Sequence, residues 1–228
     1  MTSFKRARSA EQRTERRAAI LAAAAAMLAE MPVAQVTLNE LSRRVGLAKS
    51  NVLRYFESRE AVLLELLDAE QQAWLNHLRS ELAGVGDDLA AAPVRDRGDQ
   101  VVATIAASLT ARPILCDLLS SQAAVLEHNV SPEIAAKYKR AAIASFGVLA
   151  SLILVHLPEL GEVDAQRFAA GASLVAGAVW THSRPSAAML AAYEADPALA
   201  AMRIDFTATM REVMEILIAG LLARPSQR

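Results

Sequence analysis

Cysteine and histidine are scarce in this chain of 228 residues, which contains one Cys and four His. A single cysteine cannot form an intrachain disulfide framework or a cluster of Cys metal ligands, which favours a reducing cytoplasm. Only nine Gly and eight Pro are present, so collagen-like and Gly/Ser-rich low-complexity chains are excluded. Aromatic residues make up 4% of the chain, and alanine and leucine supply much of its apolar content. This composition favours helices over strands.

The net charge is nearly zero, with 24 Lys and Arg against 25 Asp and Glu, but the charges are unevenly distributed. Residues 1–60 carry 11 basic and 6 acidic side chains, an excess of five positive charges. The remaining 13 basic and 19 acidic side chains give residues 61–228 an excess of six negative charges. A basic N-terminal quarter on an acidic body indicates that one end of the protein meets a polyanion.

Two apolar runs resemble targeting or membrane segments. Residues 18–29 follow a basic stretch, as in a signal peptide, but the run is mostly alanine and two acidic residues precede it. Residues 141–157 are uncharged, yet they are short for a span and lack aromatic residues at both ends. The sequence therefore predicts two ordinary helices, the second buried on all faces, in a cytoplasmic protein with no membrane partner.

Prolines and capping residues divide the chain into helices. Ser131-Pro132 and Asp196-Pro197 each combine an N-cap residue with a proline at the first helical position. No alternating strand pattern bounded by hairpin turns is visible. The sequence predicts an all-α protein with helices near 10–30, 38–45, 49–55, 59–83, 99–111, 114–128, 132–156, 164–183, 186–195 and 197–223.

Residues 37–56 carry the clearest functional pattern. Thr37 and Glu40 have the spacing of a capping box, in which each side chain accepts a hydrogen bond from the other residue's amide. Gly46 then permits a positive φ between two short helices, and Val52 and Phe56 face inward on the second helix. Such a pair is a helix-turn-helix unit, although an αα corner with a polar surface shares part of the pattern. The polar side chains that could reach phosphates or base edges are Lys49, Ser50, Asn51, Arg54 and Tyr55.

Residues 13–65 resemble the DNA-binding domain of the TetR (tetracycline-repressor-like) family of bacterial regulators. The segments that match are 17–24, 36–46, 47–56 and 57–63. The resemblance implies a basic arm at 1–12, a three-helix DNA-binding domain at 13–60, and a helical ligand-binding and dimerisation domain at 61–228. It also implies a repressor that needs no cofactor, binds an inverted-repeat operator as a homodimer and is released by a small hydrophobic effector.

The same resemblance suggests individual DNA contacts. Thr37 resembles a cap beside a phosphate, Lys49 the lysine that opens the recognition helix, and Arg59 a basic residue that opens the fourth helix. Leu53 replaces a tyrosine of the family and is expected to pack, whereas Asn51 is the best candidate for reading a base. The predicted DNA-binding set is Thr37, Arg43, Lys49, Ser50, Asn51, Arg54, Tyr55 and Arg59.

The C-terminal two thirds suggest a dimer. The segment 197–223 has an apolar face wider than a lone surface helix needs, and 164–183 is rich in small residues that permit close helix approach. Both could pack within one subunit, but the resemblance favours a four-helix interface between two copies. The predicted interface residues are Phe168, Ala172, Val175, Val179, Phe206, Met210, Val213, Leu217 and Leu221.

The resemblance implies an effector cavity between residues 60 and 185, and the candidates for its lining are Trp74, His77, Cys116, His128 and Trp180. His77 and Glu81 have a spacing that suits two metal ligands, but no second pair follows, so no metal site is predicted. No phosphate-binding Gly loop or nucleophile elbow is visible, and the sequence predicts a regulator that is not an enzyme. The alternative is a helical enzyme or adaptor whose αα corner only mimics a DNA-binding unit.

Overall fold

The computed structural model describes residues 2–84 and 91–224, with side chains from residue 11 onward. Eleven α-helices and no strands occur in this part of the chain, so the predicted all-α fold is confirmed. The predicted C-terminal domain also includes 85–90 and 225–228, which lie outside the described residues. The helices are α1 Thr2–Glu30, α2 Leu38–Arg44, α3 Lys49–Val52, α4 Arg59–Ala83, α5 Val94–Thr110, α6 Pro113–Ser121, α7 Pro132–His156, α8 Gly161–Ser183, α9 Ala187–Ala195, α10 Pro197–Ala200 and α11 Phe206–Ala223.

Several helix boundaries differ from those predicted. Helix α1 begins at Thr2, so most of the arm predicted at 1–12 is helical, and no Pro or Gly interrupts the segment. Helix α5 begins at Val94, directly after Pro93, instead of near residue 99. The segment predicted as one helix at 197–223 is broken into α10 and α11. The break occurs because Asp205 has an extended backbone and caps α11, accepting a hydrogen bond from the Ala208 amide at 2.7 Å.

The chain divides into two compact units. The first comprises Met1–Glu70 and Ser121–Arg140, and the second comprises Gln71–Ser120 and Ala141–Arg228. Helices α4 and α7 each contribute residues to both units. The segment Ser121–Arg140 thus belongs with the N-terminal residues, whereas the sequence analysis assigned all of 61–228 to one C-terminal domain.

The first unit has a core built mainly from α1, α2, α3 and the beginning of α4. Ile20, Ala24 and Met27 recur along one face of α1 at helical spacing and are fully buried. Val52 and Phe56 are 0% and 4% exposed, as the inward pair of the helix-turn-helix pattern requires. Burial of a large apolar side chain stabilises a fold by roughly 1.5–3 kcal/mol, so these positions anchor the turn that carries α3.

The second unit is organised around α11, which packs against α5 and α8. Four residues of α11 recur at a spacing of four and are buried, namely Phe206, Met210, Met214 and Ile218. Glycines allow close approach: a Cβ at Gly171 of α8 would lie 3.1 Å from the Leu217 side chain. At Gly177 it would lie 3.0 Å from the Leu119 carbonyl oxygen.

Within residues 2–84 and 91–224, α7 is long and apolar enough to cross a membrane. Helix α5 and the segment 113–126 meet the same test only as a pair bent by 90°. Core helices of soluble proteins also reach this length and apolar character, so these properties alone do not indicate a membrane span. The prediction that this helix is buried on all faces is wrong, because Ile143 and Val155 are 68% and 75% exposed.

Candidate nucleic-acid interface

Helix α2 begins at the predicted cap. The Thr37 hydroxyl accepts a hydrogen bond from the Glu40 amide at 3.2 Å, so half of the predicted capping box is present. The other half is absent, because the Glu40 carboxylate accepts hydrogen bonds from the guanidinium groups of Arg43 and Arg44. These bonds, that of Arg43 foremost, lower the pKa of Glu40 to about 2. Glu40 therefore holds two arginines of α2 instead of closing the cap.

The turn between α2 and α3 depends on Gly46. Its φ is 65°, as the sequence predicts, and this left-handed conformation is strained for residues with a Cβ. The Gly46 amide donates to the Arg43 carbonyl at 3.2 Å, and the Leu47 amide donates to the Ser42 carbonyl at 3.0 Å. The carbonyls of Ser42 and Arg43 at the end of α2 are thereby satisfied, and the chain enters α3 through a defined turn.

Helix α3 is shorter than predicted, since it ends at Val52 and continues as tight turns to Tyr55. The amide of Arg54 donates to the Asn51 carbonyl at 3.2 Å, and that of Tyr55 donates to the Val52 carbonyl at 2.9 Å. This three-residue spacing winds the chain more tightly than an α-helix. Of the predicted 49–55 helix, residues 49–52 are α-helical and residues 53–55 form hydrogen-bonded turns.

Five exposed residues on this segment form what we call the reading surface: Lys49, Ser50, Asn51, Leu53 and Arg54. Leu53 is 41% exposed, although the sequence analysis expected it to pack. The expectation rested on the tyrosine that the TetR family has at this position. It did not consider that residue 53 lies off the face that carries the buried Val52 and Phe56. An exposed apolar side chain beside hydrogen-bond donors suits contact with the methyl group of thymine.

Two of the arginines assigned to DNA already bind groups of the protein. Arg43 pairs with Glu40 at 2.6 Å. Arg59 donates to the Val36 carbonyl at 3.0 Å and pairs with Glu60 at 2.9 Å, so it fastens the start of α4 to the chain before α2. A phosphate contact from either arginine would have to share or replace these partners.

Lys49 and Arg54 differ from those arginines, because neither has a hydrogen-bond or ion-pair partner among the described side chains. Both are exposed, as are Ser50 and Asn51. Thr37 is exposed at the first turn of α2. The cations of the predicted DNA-binding set thus divide into Lys49 and Arg54, which have no partner among the described residues, and Arg43 and Arg59, which are already paired within the protein.

Arg17 of α1 was missed by the sequence analysis as a functional residue. Its guanidinium donates to the Tyr55 carbonyl, pairs with Glu65 of α4 and lies 4.2 Å from the centre of the Phe56 ring. Glu65 also pairs with Lys137 of α7 at 3.1 Å. Arg17 therefore links the end of the reading surface to α1 and α4. A single sequence holds no signal for this role, since the partners lie far apart along the chain.

The predicted effector-site residues do not share one cavity among the described residues. Trp74 lines a cavity, and its Nε1 donates to the Ser108 hydroxyl at 2.9 Å. Trp180 instead donates to the Asp117 carboxylate at 2.6 Å. His77 is exposed beside Glu81, at 3.7 Å, and His128 is exposed in the first unit. Cys116 is fully buried, and burial together with the Asp117 charge raises the pKa of its thiol to about 12.

The cavity at Trp74 lies within the second unit and has a volume of about 10 Å³, room for about one water molecule. Its other lining residues are Gln71, Ile105, Leu109, Leu115, Leu119, Ala172, Ser173 and Ala176. Gln71 is 5% exposed, and its side chain makes no hydrogen bond to the described residues, while its polar atoms keep some contact with solvent. The surrounding lining is almost entirely apolar, so Gln71 and Ser173 are the polar groups that a bound molecule would meet.

Five of the predicted dimer residues are buried inside the second unit: Phe168, Ala172, Val179, Phe206 and Met210. Val175, Val213, Leu217 and Leu221 are half-buried. Large exposed apolar residues of α8 and α11 include Leu174, at 77%, near the middle of α8 and Ile216, at 65%, on α11, as well as Val163, at 58%, near the start of α8. The predicted interface residues therefore belong mainly to the apolar faces that pack within the protomer. The outward positions Leu174 and Ile216 are each one residue before a predicted position, Val175 and Leu217.

Comparisons with known proteins match both parts of the chain. Residues 20–66 match the family described as "Bacterial regulatory proteins, tetR family", and residues 68–225 match "Tetracyclin repressor-like, C-terminal domain". The HTH-type transcriptional regulator EthR of Mycobacterium tuberculosis (strain ATCC 25618 / H37Rv) is 41% identical over 54 residues. That match covers 24% of this chain and 25% of EthR, so it spans about a quarter of the curated relative.

Solved structures share the fold. A TetR transcriptional regulator from Rhodococcus sp. RHA1 aligns over 94% of this chain and 98% of its own, with a TM-score of 0.53 and 17% identity. FadR from Bacillus subtilis, solved in complex with stearoyl-CoA, aligns over 89% of this chain and 97% of its own, with a TM-score of 0.54 and 16% identity. Because the two family models together span most of the sequence, this chain belongs to the TetR family of transcriptional regulators, with a helix-turn-helix DNA-binding domain and a ligand-binding C-terminal domain.

Proposed function

We propose that the protein is a cytoplasmic repressor that acts by binding and not by catalysis. It binds an inverted-repeat operator as a homodimer and leaves it when a small apolar effector binds. The observation that carries DNA recognition is the reading surface, whose donors are exposed while Val52 and Phe56 hold the segment in the core. A helix presented in this way fits the major groove, which is about 12 Å wide.

Each residue type on the reading surface has a distinct role in this proposal. Asn51 pairs with the N6 and N7 edge of an adenine, and Leu53 contacts a thymine methyl group. Lys49 neutralises a phosphate, which adds affinity without sequence information. Arg54 has the bidentate donors that suit guanine or a phosphate.

Binding can be measured by fluorescence anisotropy with the DNA upstream of the protein's own gene and with a scrambled duplex. Lys49→Ala should weaken binding to both duplexes and lower the salt slope by about one unit per bound protomer. Asn51→Ala should cost about 1–3 kcal/mol of discrimination at one base pair. Arg79→Ala, an exposed arginine of the second unit, is the matched control. If wild-type protein binds both duplexes equally at every salt concentration, the proposed function is wrong.

Helices α8 and α11 pack against each other within the protomer. The dimer proposal rests on the opposite faces of these two helices, which point outward. Leu174 and Ile216 are largely exposed there, and Ala178 and Gly220 are small exposed residues of the same two helices. Exposed apolar side chains with small neighbours suit close packing against a second copy. In a twofold dimer each half-site of the operator meets one reading surface, which is why the operator should be an inverted repeat.

The effector proposal rests on the cavity beside Trp74. At about 10 Å³ the cavity is too small for an effector, so a ligand has to open it by displacing Trp74 or parting the helices around it. The Gln71 side chain in the cavity lining favours an apolar molecule that carries one hydrogen-bonding group. FadR from Bacillus subtilis, which shares this fold, was solved with stearoyl-CoA, a ligand that carries a long apolar acyl chain.

A series of aliphatic alcohols and carboxylic acids of increasing chain length tests the effector proposal. An effector should raise the melting temperature and release the operator, and by linkage it should bind more weakly when operator is present. Gln71→Leu should lose selectivity between alcohols, acids and their hydrocarbon analogues. A compound that releases DNA without reciprocal weakening of its own binding would contradict the effector mechanism.

A further inference from the structure

A cleft of about 780 Å³ lies in the first unit between α1 and the end of the reading surface. Helix α1 contributes Gln12, Arg13 and Arg16 to its lining, and the turn after α3 contributes Arg54 and Tyr55. All of these side chains except Tyr55 are exposed. Because Arg54 belongs both to the cleft and to the reading surface, the two are continuous.

The cleft is lined by cations that no described side chain neutralises. Arg13 and Arg16 are three residues apart on α1 and therefore lie on the same face of the helix. Neither they nor Arg54 has a hydrogen-bond or ion-pair partner among the described residues. Glu15 also lines the cleft, but it forms no ion pair with them. The described part of the lining thus carries three positive charges against one negative charge.

Other arginines of the first unit do have carboxylate partners, unlike those of the cleft. Arg17, next in sequence to Arg16, is bound by Glu65 and by the Tyr55 carbonyl. Arg44 of α2 is bound by Glu30 at 2.6 Å. Among its described residues, the unit therefore supplies carboxylates to arginines that link its helices and none to the arginines of the cleft. Like charges that line one cleft repel one another unless an anion joins them.

We propose that this cleft binds the phosphate backbone of DNA next to the bases that the reading surface contacts, with Arg13 and Arg16 as the phosphate ligands. The proposal rests on the DNA binding proposed above and adds α1 to the interface. A recognition helix in the major groove is bordered by phosphates, and Arg54 brings the cleft to that border. The guanidinium group binds phosphate oxygens in a bidentate manner, and the Gln12 amide can donate to another oxygen.

Phosphate contacts add affinity and salt dependence, but they do not read sequence. The cleft should therefore affect operator and scrambled DNA alike, whereas Asn51 and Leu53 should affect the difference between them. A single binding assay with both duplexes can therefore distinguish the contribution of the cleft to overall affinity from the contribution of the reading surface to sequence preference.

The test compares full-length Arg13→Ala/Arg16→Ala with wild type on operator and scrambled duplexes over a range of salt concentrations. The double variant should lose affinity for both duplexes by the same factor and lower the salt slope by about two units per bound protomer. Arg79→Ala/Arg95→Ala removes the same charge from exposed positions of the second unit and should leave the slope unchanged. Arg13→Lys/Arg16→Lys keeps the charge and should restore most of the slope.

Operator duplexes with a single neutral methylphosphonate provide the second measurement. Replacement of the phosphate that Arg16 binds should weaken wild-type binding, and Arg16→Ala should be insensitive at that phosphate alone. An unchanged salt slope and an unchanged methylphosphonate pattern in the alanine variants would overturn the cleft proposal while leaving the reading surface intact. A changed ratio of operator to scrambled affinity would also overturn it. Wild-type protein without sequence preference would overturn the proposed function instead.

Discussion

At the scale of single residues, the partner of each side chain decides its role in this protein. Arg43 and Lys49 are both exposed cations near the same turn, but Arg43 pairs with Glu40 and Lys49 has no partner among the described residues. Glycines differ in the same way. Gly177 lies against the backbone of Leu119, whereas nothing lies within 4 Å of a Cβ at Gly147.

Gly177→Ala should lower the free energy of unfolding by about 1–3 kcal/mol, because its Cβ would lie 3.0 Å from the Leu119 carbonyl oxygen. That oxygen belongs to backbone, which cannot rotate away as a side chain can. Gly147→Ala is the matched control and should raise the free energy of unfolding by about 0.5–1 kcal/mol, the usual gain in a helix. Urea unfolding followed by circular dichroism measures both, and equal effects of the two variants would contradict the prediction.

Glu40 should contribute a pH-dependent part of the stability. Its pKa is about 2 in the folded protein and about 4.5 in an unfolded chain. The contribution is therefore fully present above about pH 4.5 and is lost as the pH falls through 2. Urea unfolding of wild type and Glu40→Gln at a series of pH values should show a difference that shrinks over this window. A difference that is constant across it would show that the carboxylate charge is not responsible.

At the scale of helices, the same type of cap has different consequences in different places. Asp205 caps α11, which packs against α5 and α8 and buries four large side chains. Asp196 caps α10 by accepting from the Ala198 amide at 2.8 Å. Neither α9 nor α10 has a buried residue, so these helices can open without exposing the core of the second unit.

Asp205→Ala should therefore lower the free energy of unfolding by about 0.5–2 kcal/mol, the usual cost of losing an N-cap. Asp196→Ala removes an equivalent hydrogen bond, but it should leave the main unfolding transition nearly unchanged. Thermal unfolding by calorimetry gives both values. A larger loss for Asp196→Ala than for Asp205→Ala would show that α9 and α10 are coupled to the core.

At the scale of the whole molecule, operator binding requires two reading surfaces held by one dimer. The proposed interface uses Leu174 and Ile216, whose side chains contribute little to the core of the protomer because they are largely exposed. Charges can therefore be introduced at these positions without opening a cavity in the fold. The half-buried Val213 and Leu217 would not allow such a clean separation of association from folding.

Leu174→Glu/Ile216→Glu should be a folded monomer at micromolar concentration, because carboxylates in an apolar interface would lose their hydration without compensation. Sedimentation velocity measures the oligomeric state, and circular dichroism shows whether the variant is folded. Fluorescence anisotropy measures the expected loss of operator affinity. Val155→Glu, at an exposed apolar position of α7, should remain a dimer. A monomeric wild type, or a dimeric double variant, would contradict the proposed interface.

Much of the DNA-binding unit could be predicted from the sequence because its signals are local. The cap at Thr37, the positive φ of Gly46 and the burial of Val52 and Phe56 all depend on residues a few positions apart. The length of α1 was underestimated, and the break before Asp205 was missed, since a long apolar periodicity concealed a local cap. Helix existence was therefore more predictable than helix boundaries.

The amino-acid sequence by itself determined the helical class, the turn that presents α3, and the family of regulators to which the chain belongs. Only the tertiary structure decided which arginines are free and which apolar faces point outward. Arg17 and Glu65 pair across 48 positions, and no periodicity or spacing in one chain reports such a contact. Likewise Leu174 and Val175 are equally apolar neighbours, and their exposure differs because α11 packs against one side of α8. Partners from distant segments settle these questions because charge neutralisation and burial depend on three-dimensional distance.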